Sequence, residues 1–240
     1  MPAITSVIFL SLLMASFVAS MWLEHRHAAR PATLSDRRMM VNFGLGVAGM
    51  TLAALVRAAP AVAVYIGPDV WRPPFGPQSW PLPLEPVAAV LLFSLIAYGL
   101  HRAMHTIPVL WRLHRVHHSD ASVDFSTGFR SHPLAFLLSS MVASATVVVV
   151  GFSELAVIVA LSAMHSVDLF IHANGNLPDR IERWVGWVLV TPSIHLRHHS
   201  QQRPEHDSNF GTVLIIWDRL FGTYSGRQVP EALGLKPSPD

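Results

Sequence analysis

The feature that most constrains this chain is a run of twenty residues, 4–23, that contains no charged side chain. At about 1.5 Å rise per residue, an α-helix of that length crosses the roughly 30 Å hydrocarbon core of a bilayer. A cleaved signal peptide is the competing interpretation, but such peptides begin with a basic segment and have a shorter apolar run. The sequence therefore predicts an uncleaved membrane anchor.

Four further apolar stretches predict additional spans, and they cover residues 42–66, 86–100, 133–151 and 155–171. Because so few residues separate the last two, we expect a tight helical hairpin there. A shorter stretch, residues 184–190, cannot cross a bilayer and is expected at the membrane interface, where tryptophans such as Trp184 and Trp187 are enriched. The predicted fold is an all-α polytopic membrane bundle with five spans, or with four spans and a re-entrant hairpin.

Composition supports a membrane protein and excludes several other classes. Hydrophobic residues make up 51% of the 240 residues and charged residues only 13%, against roughly 25% in average soluble domains. The formal net charge of +2 is too small for a protein that binds nucleic acid. Cysteine is absent, which excludes disulfides, thiolate metal ligands and a cysteine nucleophile.

Arginines in the predicted loops set the expected orientation. Residues 24–38 and residues 101–132 each contain four arginines, whereas residues 67–85 contain only Arg72 and residues 151–154 contain none. By the positive-inside rule the N-terminus faces out and the arginine-rich loops face the cytoplasm. Arginine-rich, lysine-poor composition hints at a GC-rich bacterial genome, so the expected location is the bacterial inner membrane.

The predicted domain organisation has three parts. Residues 1–85 form an N-terminal transmembrane region that ends in an outer loop rich in proline, which cannot be helical. Residues 86–226 form a second domain that carries most of the histidines, and residues 227–240 form a flexible tail.

Nine of the fourteen histidines follow a regular spacing: one HxxxH pair, two HxxHH boxes and one histidine at the end of the last span. Residues three and four apart share a helix face, so an i, i+4 pair can chelate one metal ion, as in zinc helices with an HExxH motif. Neighbouring residues point about 100° apart, so one box can reach two metals. The sequence predicts a cytoplasmic helical cap with a dimetal site, whose expected ligands are His101, His105, His114, His117, His118, His172, His195, His198 and His199.

The remaining histidines carry weaker signals. His25, His27 and His206 fit ordinary surface or core histidines, which are common in proteins. His165 lies two turns before His172 and is an additional candidate ligand, while His132 precedes Pro133 at a predicted helix start and is a candidate partner of a ligand.

A ligating imidazole needs an acceptor for its second ring N–H, which is usually a carboxylate or a carbonyl. Two candidates have an ordinary alternative role, since Asp207 could cap a turn and Asn174, followed by Gly175, could end a helix. The expected partners are Asp124, Asp168, Asn174, Asp207 and Asn209, and Asp218 is a further candidate that could instead pair with Arg219.

Four segments carry a resemblance to a known family: HRAMHTIPVLWRLHRVHHSDASVDFSTGFRSHP, FIHANGNLP, TPSIHLRHHS and DSNFGTVLIIWDRLFGT. In order and spacing they resemble the fatty acid hydroxylase / sterol desaturase superfamily, and the resemblance covers residues 98–224. It implies a membrane oxygenase in which the nine histidines hold two iron ions, with zinc as the alternative in a purified sample. The implied reaction uses O2 to hydroxylate or desaturate a C–H bond of a fatty acyl, alkyl or sterol-like lipid. Nothing in the sequence resembles a b-type cytochrome, so a separate reductase, cytochrome or ferredoxin is the expected electron donor.

Two other function classes fit a histidine-rich membrane protein. A metal transporter or a metal-binding protein without oxygenase activity would place ligands near the bilayer midplane, whereas these histidines lie in loops and at predicted helix ends. A membrane metal hydrolase would need a general base beside the metal, and Glu205 is the acidic residue near a histidine box that could serve.

Overall fold

The computed structural model describes residues 2–31, 35–58 and 84–236. Within these residues the chain is helical, with no β-strand and three isolated bridges. A 3-10 helix over Phe125–Phe129 lies between the fourth and fifth α-helices. The α-helices are α1 (Pro2–His27), α2 (Asp36–Ala58), α3 (Leu84–Thr106), α4 (Pro108–His118), α5 (Pro133–Val150), α6 (Glu154–Ile171), α7 (Asp179–Val185), α8 (Pro192–His198), α9 (Arg203–His206) and α10 (Ile216–Leu220).

Five of these helices, α1, α2, α3, α5 and α6, are long and apolar enough to cross a membrane. The all-α fold with five candidate spans is thereby confirmed. Helix α2 begins six residues before its predicted apolar stretch. Near its start, the Arg38 guanidinium is paired with the carboxylates of Asp120 and Asp124. Most of the predicted proline-rich loop, together with residues 237–240, lies outside the described residues.

The spanning helices pack in parallel pairs through small residues, which let helix backbones approach closely in a membrane. Along α1 and α6, the hydroxyl of Ser16 donates to the Ser166 carbonyl, and the hydroxyl of Ser20 donates to the Leu169 carbonyl at 3.3 Å. Helix α3 packs on α6 through a cluster that includes Ala89, Ala156 and Ala160. Because these partners run in the same direction, the C-terminal ends of α1, α3 and α6 meet on one side of the bundle.

The α5–α6 connection is the predicted tight hairpin. Gly151 ends α5 in the left-handed conformation with φ of 72°, a conformation that glycine adopts without steric cost. Ser153 then starts α6, and its hydroxyl accepts from the Ala156 N–H. The backbone N–H and the hydroxyl of Ser153 also donate to the carboxylate of Glu85 at the start of α3.

Residues 227–236 are packed against the fold, whereas the sequence predicts a flexible tail there. The Leu233 side chain is 3% exposed and contacts Val123 and Leu196. The Gly234 N–H donates to the His199 carbonyl, and the Arg30 guanidinium donates to two tail carbonyls. Burial of one leucine and these backbone bonds explain the difference. The division of the chain at residues 85 and 226 stays a prediction.

Two glycines of α2 allow a matched test of helix packing. A Cβ at Gly49 would lie 2.8 Å from Cβ of Phe136 on α5, whereas a Cβ at Gly44 would meet nothing within 4 Å. Alanine favours a helix over glycine by about 1 kcal/mol at both positions, but overpacking costs about 1–3 kcal/mol. We expect Gly49→Ala to be less stable than Gly44→Ala by that overpacking cost, measured by thermal unfolding in detergent. Equal stability of the two variants would contradict close α2–α5 packing.

Candidate metal centre

Four helices bring the nine expected ligands together at one end of the bundle. Helix α3 carries the HxxxH pair on its last turns, α4 and α8 each carry an HxxHH box, and α6 ends next to His172. Pro108 and Pro192 occupy the first turns of α4 and α8, where proline's missing N–H costs no helical hydrogen bond. These two short helices therefore start at defined points and direct their histidines toward the ends of α3 and α6.

The rings form two adjacent groups, and in each group the potential ligand atoms all lie within 4.8 Å of one another. Histidines four residues apart share a group, while the middle histidine of each box (His117 or His198) joins the other group. Rings of His118 and His199 stack across the boundary at a centroid distance of 4.6 Å. The five-histidine group is His101, His105, His114, His118 and His198, and the four-histidine group is His117, His172, His195 and His199.

Ring nitrogens face each other at short distances inside both groups. In the five-histidine group, Nε2 of His101 lies 3.0 Å from Nε2 of His114. In the four-histidine group, Nε2 of His172 lies 3.2 Å from Nε2 of His117 and 3.0 Å from Nε2 of His195. Two nitrogens bound to one metal at about 2.1 Å each, at right angles, lie about 3 Å apart. The observed spacing therefore fits nitrogens that share one ion, and it is also the length of an N–H···N hydrogen bond.

Backbone carbonyls determine which ring nitrogens carry protons. Nδ1 of His101 lies 2.8 Å from the Phe210 carbonyl, Nδ1 of His172 lies 2.7 Å from the Asp168 carbonyl, and Nδ1 of His198 lies 2.7 Å from the Ser208 carbonyl. The Arg130 carbonyl accepts from Nδ1 of His117 in the same way. A carbonyl oxygen can only accept a hydrogen bond, so Nδ1 donates in each case. In the neutral ring, Nε2 then carries no proton and presents a free lone pair.

These bare lone pairs fit a bound cation. His117 and His172 both donate through Nδ1, so no proton is left to place between their facing Nε2 atoms. Nε2 of His105, His118 and His198 is buried without a hydrogen-bond partner among the described residues. Such an arrangement is electrostatically unfavourable unless a positive ion accepts the lone pairs. An all-imidazole donor set suits iron, zinc or copper and not magnesium or calcium.

Burial favours the neutral form of six of these rings, and the neutral form is the one that can bind a metal. Eight of the nine histidines are buried, and the side chain of His105 has no exposed surface. Loss of hydration, reinforced by the neighbouring imidazoles, holds the pKa well below its usual value for His114, His117, His118, His195, His198 and His199.

Two of the five expected ring partners contact a ligand candidate. The Asp207 carboxylate lies 3.3 Å from Nδ1 of His105, and the hydrogen bond from His105 lowers the pKa of Asp207. Asp168 acts through its backbone carbonyl, while its carboxylate lies 3.7 Å from Nδ1 of His172. Because the backbone carbonyl of residue 168 accepts from the ring, this contact does not depend on the type of side chain at that position.

The other three expected partners are bonded elsewhere in the described part of the chain. The Asp124 carboxylate caps the 3-10 helix and pairs with Arg38. The Asn174 side chain bonds the backbone of Arg30, and Asn209 bonds backbone groups of residues 194, 225 and 226. These residues shape the loops around the rings but form no hydrogen bond with any of the nine imidazoles.

His165 and His132 lie outside both groups. His165 is exposed on α6 and meets the Phe9 ring edge-on at 6.1 Å. His132 is the N-cap of α5 and accepts from the Leu134 N–H. Glu205, the residue considered as a hydrolytic base, is paired with Arg197 at 3.2 Å.

Sequence reasoning missed three rings beside the five-histidine group. His206 stacks on Trp111 with an interplanar angle of 10° and belongs to a further cluster with His105 and Asp207. Trp111 also lies 5.1 Å from the His105 ring, and Phe210 lies 5.2 Å from it on another side. The direct adjacency of His206 to Asp207 was the available signal, whereas nothing in the spacing pointed to the two aromatic walls.

Comparison with known proteins gives a family match over the histidine-bearing part of the chain. The model of a family described as fatty acid hydroxylase matches residues 86–223. No solved structure matches the chain.

Curated relatives share parts of their length with the chain. Human alkylglycerol monooxygenase is 29% identical over 156 residues, 65% of this chain and 34% of that protein. The ornithine lipid hydroxylase OlsE of Rhizobium tropici is 27% identical over 188 residues, 77% of this chain and 56% of that protein. A very-long-chain aldehyde decarbonylase of Oryza sativa is 23% identical over 141 residues, 54% of this chain and 22% of that protein. The chain thus spans between about a fifth and just over half of the length of these relatives.

The lowered histidine pKa values predict acid sensitivity of the metal-free protein. At pH values between the lowered pKa of the folded protein and about 6.5, the unfolded chain binds more protons than the folded chain. The free energy of unfolding therefore falls as the pH drops below about 6.5. We expect the Tm of the chelator-treated protein to be several degrees lower at about pH 5.5 than at about pH 8. The variant His114→Gln/His118→Gln should lose part of this dependence. A flat Tm profile in the parent protein would contradict the neutral buried cluster.

The two aspartates beside ring N–H groups predict different effects of the same substitution. Asp207→Asn weakens the acceptor of His105 and should lower metal affinity by about 10- to 100-fold. Asp168→Asn leaves the backbone carbonyl that accepts from His172 and should leave metal affinity unchanged. Titration of the chelator-treated variants with Co²⁺, followed by absorbance, measures both. Equal affinities in the two variants would show that the Asp207 contact does not orient a ligand.

Proposed function

Because the chain belongs to the fatty acid hydroxylase family, within the fatty acid hydroxylase / sterol desaturase superfamily, we propose that it is a membrane-bound diiron oxidoreductase. It uses O2 to hydroxylate or desaturate a C–H bond of a lipid. The observation that supports this most strongly is the convergence of nine buried imidazoles in two adjacent groups, since no acid–base group removes hydrogen from an unactivated alkyl chain at neutral pH.

Each histidine group is proposed to hold one iron ion, and zinc is the alternative occupant in a purified sample because it accepts the same nitrogen donors. Bound iron supplies the redox chemistry that activation of O2 requires. The chain's own contribution is preorganisation: the backbone carbonyls of Phe210, Arg130 and Ser208 accept the Nδ1–H of three ligands. Their Nε2 atoms are thereby directed inward before a metal arrives.

Two aromatic side chains shield the site from water. Phe210 packs against the rings of His101, His105 and His198, and Trp111 covers His105 and His118. A dry site suits C–H oxidation because it limits side reactions of reactive species.

The lipid and the electron donor are proposed to reach the site from different directions. The chain is a multi-pass membrane protein, so a fatty acyl, alkyl or sterol-like substrate enters laterally from the bilayer. The relatives include proteins named for alkylglycerol and for ornithine lipid, which supports a lipid substrate. Exposed arginines on α3 and α4 (Arg102, Arg112 and Arg115) suit a separate reductase, cytochrome or ferredoxin with an acidic surface. This face is proposed to be cytoplasmic, in a bacterial inner membrane.

The two alternative classes receive less support from the geometry. The histidines lie at the ends of α3 and α6 and not at the middle of the bundle, unlike the midplane sites of transporters. Glu205 is engaged with Arg197 and is not a free base beside a metal, which weakens the hydrolase interpretation.

Metal stoichiometry tests the two-ion site. We expect about two metal ions per chain in the parent protein and about one in His118→Ala and in His195→Ala, since each change removes one ligand from a different group. The matched control, His165→Ala, changes a histidine of the same chain outside both groups and should retain both ions. Elemental analysis measures the content, and thermal unfolding confirms that each variant is folded. Full metal content in both box variants would contradict the ligand assignment.

Oxygen consumption tests the reaction. The iron-loaded, chemically reduced protein should consume O2 when it is supplied with bacterial lipid extract, and His118→Ala and His195→Ala should not. Mass spectrometry of the lipids then separates the two outcomes: hydroxylation adds one oxygen atom and desaturation removes two hydrogen atoms. Iron-loaded protein that accepts electrons but changes no lipid and consumes no O2 would contradict the proposal.

A further inference from the structure

Large apolar side chains are exposed on the histidine side of the protein, outside the five spanning helices. Trp184 is 72% exposed, Leu220 is 70% exposed and Trp187 is 60% exposed. Contiguous apolar surface of this kind is unfavourable in water and marks an interaction site. We call this surface the interfacial patch, and it consists of Ile181, Trp184, Trp187, Val188, Leu189, Leu220 and Phe221.

The interfacial patch is one continuous surface although it comes from two chain segments. The Ile215 N–H donates to the Val188 carbonyl at 3.0 Å, and Leu189 forms a backbone bridge with Leu214. The Arg219 guanidinium lies over the Trp187 ring at 4.4 Å. The turn that follows α7 and the segment that carries α10 are therefore held side by side.

Contacts with α3 give the level of the patch relative to the membrane. The Trp217 indole N–H donates to the Ser94 hydroxyl at 2.9 Å, and the Phe221 ring stacks on the Tyr98 ring at 5.4 Å. Ser94 and Tyr98 belong to the membrane-spanning helix α3, about 12 and 8 residues before its end. At 1.5 Å per residue, they lie roughly 18 and 12 Å inside that end. Helix α10 thus lies beside the spanning part of α3.

Helix α7 and the turn that follows it have the pattern of a helix that lies in an interface. Ile181 and Trp184 lie three residues apart on one face of α7, and Val188 follows in the turn after it; all three are exposed. Glu182 points the other way, where its carboxylate accepts from the hydroxyls of Thr191 and Ser193. An apolar face with tryptophan, beside arginines that reach for headgroups, is typical of interfacial helices.

We propose that the interfacial patch is immersed in the phospholipid leaflet on the histidine side of the membrane. A lipid leaflet is the occupant that continuity with α3 supports, because the neighbouring helix surface is already in lipid. The patch is also tied to the histidines: the Asp218 carboxylate accepts from the Phe210 N–H at 2.7 Å, and the Phe210 carbonyl accepts from His101. Immersion would hold the histidine groups at a set height above the leaflet. This inference depends only on α3 spanning the membrane, and not on a metal or an oxygenase reaction.

Because the chain contains no cysteine, single cysteines can carry a nitroxide spin label without background. Trp187→Cys and Leu220→Cys probe the two halves of the patch in phosphatidylcholine/phosphatidylglycerol nanodiscs. Leu91→Cys, on an exposed position of α3, is the lipid control, and Gln228→Cys, at an exposed position at the start of the C-terminal segment, is the water control. We expect both patch labels to collide more often with O2 than with a water-soluble nickel chelate, and the Leu91 label should behave in the same way. The Gln228 label should collide more often with the nickel chelate.

Two results would overturn the proposal. Patch labels that respond like the Gln228 label would show that the surface faces water. Patch labels shielded from both reagents and broadened by a neighbouring spin would show that a second copy of the chain covers it. Leu220→Cys changes a largely exposed side chain, so it decides the question even if Trp187→Cys fails to fold. The measurement uses the chain without added metal or substrate, so its outcome is separate from that of the oxygenase test.

Discussion

The structure depends on bringing many bare imidazole lone pairs into one small, dry volume. The facing Nε2 atoms of His117 and His172, 3.2 Å apart, repel each other unless a cation lies between them, because both rings donate through Nδ1. Burial makes protonation an expensive alternative, because a charged imidazole would lose its hydration. The fold therefore holds an arrangement that is unfavourable by itself and becomes favourable on binding a positive ion. A protein whose histidines merely filled a core would have paired each ring nitrogen with a donor or an acceptor.

Much of the surrounding structure serves to keep those lone pairs in place. His117 is oriented by the Arg130 carbonyl, and the Arg130 guanidinium is held by the Asn42 side chain on α2 at 2.9 Å. His199 uses its backbone carbonyl to hold Gly234 of the C-terminal segment. Residues far apart in the chain thus fix single rings, which is the preorganisation that a metal site needs. The same network explains why α2 and residues 227–236, which carry no ligand, are packed against the histidine-bearing part.

The membrane supplies the second constraint. In lipid, every spanning segment must satisfy its backbone groups internally, so helices are the available solution for a single chain of this kind. Parallel pairing of α1 and α3 with α6 places their ends at one level, and there the short helices α4 and α8 close over the rings. The histidine groups therefore lie at the end of the spanning helices and not in the middle of the bundle.

The apolar runs and the histidine spacing were readable in the sequence because each depends on local periodicity. Five spans follow from uncharged length, and the pairing of His114 with His118 follows from 3.6 residues per turn. Local periodicity does not determine which distant group meets a ring. The Asp207 carboxylate and the Asp168 carbonyl contact histidine rings, whereas the Asp124 carboxylate pairs with Arg38. The C-terminal segment packs on the fold through the buried Leu233 side chain. The sequence by itself thus determined the spanning helices and identified the nine histidines as candidate ligands. Tertiary structure alone decided how the rings divide between the two groups and what holds each one, because those contacts join residues far apart in the chain, and helix packing brings them together.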